Sequence, residues 1–139
     1  MIDWPLGARL AGVAAYFAAL NGMIFAPASV FRKVGAYIAF QDKIAHVALF
    51  MALACLTRWA LPVPAPGERP GAGLRYAVPL ALATYACATE FLQPLIGGKG
   101  RMFDWFDMAG NAAGLCLGWV LFDGVIAAPV KLDSRGAGA

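Results

Sequence analysis

The sequence predicts an all-α fold, a polytopic membrane protein built as one bundle of four transmembrane helices in a single domain over residues 1–139. Two observations carry this. Hydrophobic residues make up 61% of the chain and charged residues 14%, with a mean hydropathy of +0.68, which leaves too few polar side chains to coat a soluble globule of this size. Four apolar stretches also alternate with segments rich in charge, proline or glycine, and each is long enough to cross a hydrocarbon core about 30 Å thick. Four spans and their loops use up the length, so no second domain fits outside the membrane.

Helix one is expected over about 6–26, because residues 10–30 carry no charge. A cleavable signal peptide fits less well, since the basic region before the apolar stretch is thin and that stretch exceeds the usual length of about 7–15 residues. Residues 31–41 mix Arg32 and Lys33 with Phe31, Val34, Tyr37 and Ile38 at helical spacing, the pattern of a short segment lying in the interface between helices one and two. Helix two runs over about 43–61, with Arg58 near its far end placed to snorkel toward headgroups beside Trp59. Residues 62–74 hold four prolines and three glycines and read as an exposed loop. Helix three follows over about 75–96, with Pro79 in its first turn and Pro94 in its last, before Gly97 and Gly98. Helix four covers about 104–128, and the Gly-rich tail at 131–139 is expected to be disordered.

The net charge of +3 is spread along the chain, which excludes a nucleic-acid surface and leaves anionic lipid headgroups as the natural counterpart. Cys55, Cys87 and Cys116 lack CxxC spacing, so neither a disulfide framework nor a thiolate metal site is expected. They read as small buried residues. Basic residues on the side of the termini and second loop number six (Arg9, Arg58, Arg69, Arg75, Lys131, Arg135) against five in the other loops, a bias toward cytoplasmic termini.

Three polar signatures interrupt the apolar helices. Helix two opens with Asp42, Lys43 and His46, and Lys43, His46 and Phe50 share a face. Helix three ends with Glu90 and Gln93, and helix four opens with Asp104, Asp107 and Asn111. Antiparallel connectivity brings all three to the same membrane face. Ionisable groups at that depth cost several kcal/mol unless they pair or line a wet cavity, so they should point inward. Gly110, Gly114 and Gly118 form a stripe along which another helix can approach closely.

This cluster admits several readings. It can simply tie helices together, at about 0.6 kcal/mol per contact. His46, Glu90 and Asp107 have acceptable chemistry for a metal, but no second histidine or HxxH spacing supports one, so no metal and no cofactor are expected. Acid–base chemistry through His46 and Glu90 lacks an adjacent nucleophile, because Thr84, Thr89 and Cys87 are the residue types that satisfy backbone or fill space. No catalytic residue is assigned.

The ordered series Asp42-Lys43, His46, Phe50, then Glu90 and Gln93, then Arg101, Phe103-Asp104, Asp107, Asn111 and Gly114 resembles the pattern of VanZ-like membrane proteins over residues 41–118. The chain departs from that pattern in the Gly-rich stretch at 94–100 and in Trp105-Phe106 between the acidic residues. The resemblance implies a four-helix protein of a bacterial inner membrane, in a family named for a member linked to resistance to the lipoglycopeptide teicoplanin. It places the cluster on the outer face, where Phe103, Trp105 and Phe106 would flank a lipid-linked cell-wall precursor or another amphiphile. The competing reading is a non-catalytic accessory subunit of a larger membrane protein complex. An enzyme or proton-coupled carrier using Glu90 and His46 is the third. Membrane lipids are expected partners in every case, and nucleic acid in none.

Overall fold

A computed structural model describes residues 4–27, 29–30, 39–61, 72–97 and 102–126. The architecture is all-α, with no strand among the described residues. Its helices are α1 (Leu6–Ile24), α2 (Ala39–Ala60), α3 (Ala72–Ile96) and α4 (Trp105–Leu121), the last continuing into a π-helical segment at Phe122–Ile126. The expected interfacial segment lies outside the described residues except for 39–41, which belong to α2. Likewise 72–74 of the expected loop belong to α3. The rest of that loop up to residue 71, the tail at 131–139 and the last two residues expected of helix four lie outside the described residues.

α2 and α4 run parallel and approach most closely, because glycines remove the side chains that would hold them apart. A Cβ at Gly114 would stand 2.4 Å from the Val47 carbonyl oxygen, and one at Gly118 would stand 2.4 Å from that of Met51. The pair is sewn along its length, from Lys43 against Asp107 to Cys55 Sγ donating to the Gly118 carbonyl at 3.3 Å and Arg58 Nε donating to Asp123 Oδ1 at 2.9 Å. α1 lies antiparallel to α2, with Arg9 Nη1 donating to the Trp59 carbonyl and Tyr16 Oη to that of Leu49. α3 lies antiparallel to α4. The apolar core joins Leu20, Ile24, Phe50, Leu53 and Ala86, and Phe17 reaches over the Tyr85 ring at 4.7 Å.

Polar side chains are buried beside the apolar core, and large apolar ones lie on the surface. His46, Thr57, Thr89, Glu90, Gln93, Asp107 and Asn111 are buried, while Leu80, Leu95 and Val120 are each about two-thirds or more exposed. One helix segment among the described residues, Asp42–Ala60, is long and apolar enough to cross a membrane on length and composition alone. α4 has only 17 residues before the π segment, and α3 carries Glu90 and Gln93 among its apolar residues.

Three local expectations are corrected. Because α3 begins at Ala72, Pro79 is interior to the helix rather than in its first turn, and it cannot donate to the carbonyl of residue 75. Arg58 does not snorkel outward. It turns onto α4, pairing with Asp123 and lying 5.9 Å from the Trp119 ring, because a carboxylate on the neighbouring helix supplies what a headgroup would. Cys87 and Cys116 are exposed rather than buried, since both line a cleft between α3 and α4. That cleft is apolar, with a volume of about 450 Å³, and is lined by Leu82, Ala86, Cys87, Met108, Leu115 and Trp119 among others.

Candidate functional site

The parallel and antiparallel pairings bring the start of α2, the end of α3 and the start of α4 to one end of the bundle. There a continuous polar array crosses three helices. Asp104 is the N-cap of α4, its Oδ1 accepting from the Phe106 amide at 2.7 Å, as expected where the first-turn N–H groups lack helical partners. Its other oxygen accepts from Lys43 Nζ at 2.5 Å, and Lys43 also donates to Asp107 Oδ1. Asp107 Oδ2 faces His46 Nε2 at 3.7 Å, and His46 Nδ1 is 2.7 Å from Asn111 Oδ1. Asn111 Nδ2 donates to Glu90 Oε1 at 3.0 Å and to the Ala86 carbonyl at 3.3 Å.

The Ala86 carbonyl decides the protonation pattern. A backbone carbonyl only accepts, so the Asn111 amide must present Nδ2 to it and therefore Oδ1 to His46. Nδ1 of His46 consequently carries a proton, and Nε2 is the nitrogen left to face Asp107. Asn111 is thus the hub of the site, fully buried and bonded to α2 and α3 at once.

Glu90 and Gln93 end α3 with capacity to spare. They are 0% and 2% exposed, and neither Glu90 Oε2 nor Gln93 Nε2 has a hydrogen-bond partner among the described residues. Pro94 has no N–H to offer the Glu90 carbonyl. Buried polar atoms left this way are uncommon in native folds. Asp42 is exposed at the rim, with a carboxylate oxygen within 4.8 Å of a His46 ring nitrogen and of an Asp107 carboxylate oxygen. Beside the array, Phe103 stacks on Phe91 at 5.0 Å and meets Trp105 edge-on at 4.7 Å, while Trp105 and Phe106 are exposed.

Of the residues singled out from the sequence, Lys43, His46, Glu90, Asp104, Asp107 and Asn111 are in direct contact, Gln93 is buried a turn from Glu90, and Arg101 lies outside the described residues. Gly110, Gly114 and Gly118 all face α2, and a Cβ at Gly110 would lie 3.4 Å from that of His46. Sequence reasoning missed the Ala86 carbonyl, which accepts from both Thr89 Oγ1 and Asn111 Nδ2 and for which no side-chain signal exists. It also missed the cleft that opens beside Ala86 and Met108, next to the array. Thr89 is committed to that carbonyl, and Cys55 to Gly118, so neither stands as a nucleophile.

The dual role of Asp104 is testable. Asp104→Asn keeps the cap and loses the ion pair, whereas Asp104→Ala loses both, so thermal unfolding in detergent should show the alanine variant less stable than the asparagine variant by about 1 kcal/mol. Equal melting of the two would deny the cap its contribution.

No curated protein and no solved structure matches the chain. The family described as VanZ/LLP1 matches residues 10–127, which take in all four helices of the bundle from the second turn of α1 onward. On that match, the chain belongs to the VanZ/LLP1 family.

Proposed function

We propose that this protein spans a bacterial inner membrane with four helices and engages a lipid-linked or amphiphilic envelope ligand through the polar array, in a role like that of lipoglycopeptide resistance. Burial supports the membrane assignment: Glu90, Asp107 and His46 are buried within the bundle while large apolar side chains face out. In this reading α1, α3 and α4 also cross, the termini are cytoplasmic and the array opens at the outer face.

The observation that carries the ligand reading is the surplus at the end of α3. Side chains that only tied helices together would be satisfied by one another, yet Glu90 Oε2 and Gln93 Nε2 are buried without a partner among the described residues. An acceptor and a donor one turn apart suit a ligand carrying hydroxyl, amide or phosphate groups, and the exposed Trp105 and Phe106 beside them suit an amphiphile held at the interface. The accessory-subunit reading is not favoured, because the glycine stripe, one of the features that would suit a partner helix, is used against α2 within the chain.

The test is complementation. Deleting the gene should raise sensitivity to lipoglycopeptides. Wild type should restore resistance, and Glu90→Gln should fail to do so while reaching the membrane at normal levels. Unchanged sensitivity on deletion, or full rescue by Glu90→Gln, would remove the basis for this function.

A further inference from the structure

We propose that Asp42, His46 and Asp107 form a binding site for a divalent transition-metal cation, zinc or manganese, at the open end of the polar array. One potential ligand atom from each residue lies within 4.8 Å of the others. Tetrahedral ligands at about 2.1 Å from one ion stand about 3.4 Å apart, so the set must tighten by about an ångström or somewhat more. The Asp42 carboxylate, at the exposed rim, is free to make that movement.

The state of His46 points independently to a cation. Its ring is buried, with 6% of its surface exposed, and the Asn111 amide, oriented by the Ala86 carbonyl, fixes the proton on Nδ1. The remaining nitrogen, Nε2, is 3.7 Å from Asp107 Oδ2, too far for a hydrogen bond, and a ring nitrogen of His46 lies within 4.8 Å of an Asp42 carboxylate oxygen. With the proton held on Nδ1, Nε2 is the nitrogen turned toward the Asp107 carboxylate. A cation held among them turns the arrangement from repulsive to attractive, and the Nδ1–H to Asn111 bond is the outer contact that characteristically orients a metal-ligating histidine.

Charge argues the same way. The described array holds four carboxylates, on Asp42, Glu90, Asp104 and Asp107, against the ammonium of Lys43. Lys43 occupies Asp107 Oδ1 and leaves Oδ2 for the ion. Imidazole with two carboxylates suits zinc or manganese better than calcium or magnesium, which take all-oxygen sites. A bound cation would also let this acidic array meet an anionic headgroup. The site itself does not rest on the amphiphile reading, since metal and lipid retention are measured separately.

The experiment uses the full chain in mild detergent, with any histidine tag removed, stripped with chelator and equilibrated against Mn²⁺ or Zn²⁺. Bound ion is read by metal analysis and, for Mn²⁺, by electron paramagnetic resonance. One ion per chain is expected, with affinity weakened about tenfold or more in His46→Gln and in Asp42→Asn. Asp42 is exposed, so its variant should melt like wild type without metal. Lys43→Gln should tighten binding, because it removes a competing positive charge. No retained ion, or retention unchanged in both Asp42→Asn and His46→Gln, would overturn the site.

Discussion

Replacing Gly114 by valine is expected to take apart the bundle, with a loss of about 3 kcal/mol or more. A Cβ there would sit 2.4 Å from the Val47 carbonyl oxygen, 3.0 Å from the Met51 amide nitrogen and 3.1 Å from the Phe50 Cβ. Two of those are backbone atoms of α2, so no rotamer change relieves the clash and the helix itself must retreat. Retreat would pull His46 from Asn111, since both pairs lie on the same α2–α4 seam. Gly118→Val should behave alike, with the Met51 carbonyl at 2.4 Å and the Ala54 Cβ at 2.8 Å. Gly110→Ala should be mild, because its nearest neighbour is a side-chain atom at 3.4 Å. Thermal unfolding in detergent followed by circular dichroism gives the ranking. Equal tolerance at all three positions would refute the close-packed seam.

The second large effect is expected at Asn111. Asn111→Leu keeps the volume but leaves His46 Nδ1–H and Glu90 Oε1 without this partner, and takes one donor from the Ala86 carbonyl, which keeps Thr89 and its own helix bond. Each buried group stranded in this way costs about 1–3 kcal/mol, so a total of about 3–5 kcal/mol is expected after allowing for shared partners. Asn111→Asp should also destabilise, because a carboxylate cannot donate to Ala86 and sets a further negative charge against Glu90. A double-mutant cycle between Asn111→Leu and His46→Leu should show strong coupling, since each substitution removes the other's partner. Additive effects would mean that the 2.7 Å contact contributes little.

How far the sequence carried this account differs by feature. Helix positions were legible because apolar length and proline or glycine breaks are local properties, and the observed starts and ends mostly fall within a few residues of the expected ones. The start of α2 was not, since Ala39 continues the helix upstream of the charged pair Asp42-Lys43 that looked like its beginning. Gathering of the polar residues followed from connectivity alone: the start of one helix, the end of the next and the start of the one after must share an end of the bundle. What stayed hidden depends on tertiary geometry. The choice of Asn111 as hub turns on a backbone carbonyl of α3, and the inward turn of Arg58 turns on Asp123, 65 residues away in the chain. The exposure of Cys87 and Cys116 depends on the cleft between α3 and α4, which no spacing rule encodes.

The central claim, that the polar array holds a ligand rather than only the fold, is tested most directly by mass spectrometry of lipids retained on protein purified in mild detergent. Wild type should retain a lipid-linked or other amphiphilic molecule in stoichiometric amount, and Glu90→Gln and His46→Gln, still folded by circular dichroism, should lose it. A chain that carries no such molecule, or carries it equally in wild type and in both variants, would contradict the account and leave the array as interhelical hydrogen bonding alone.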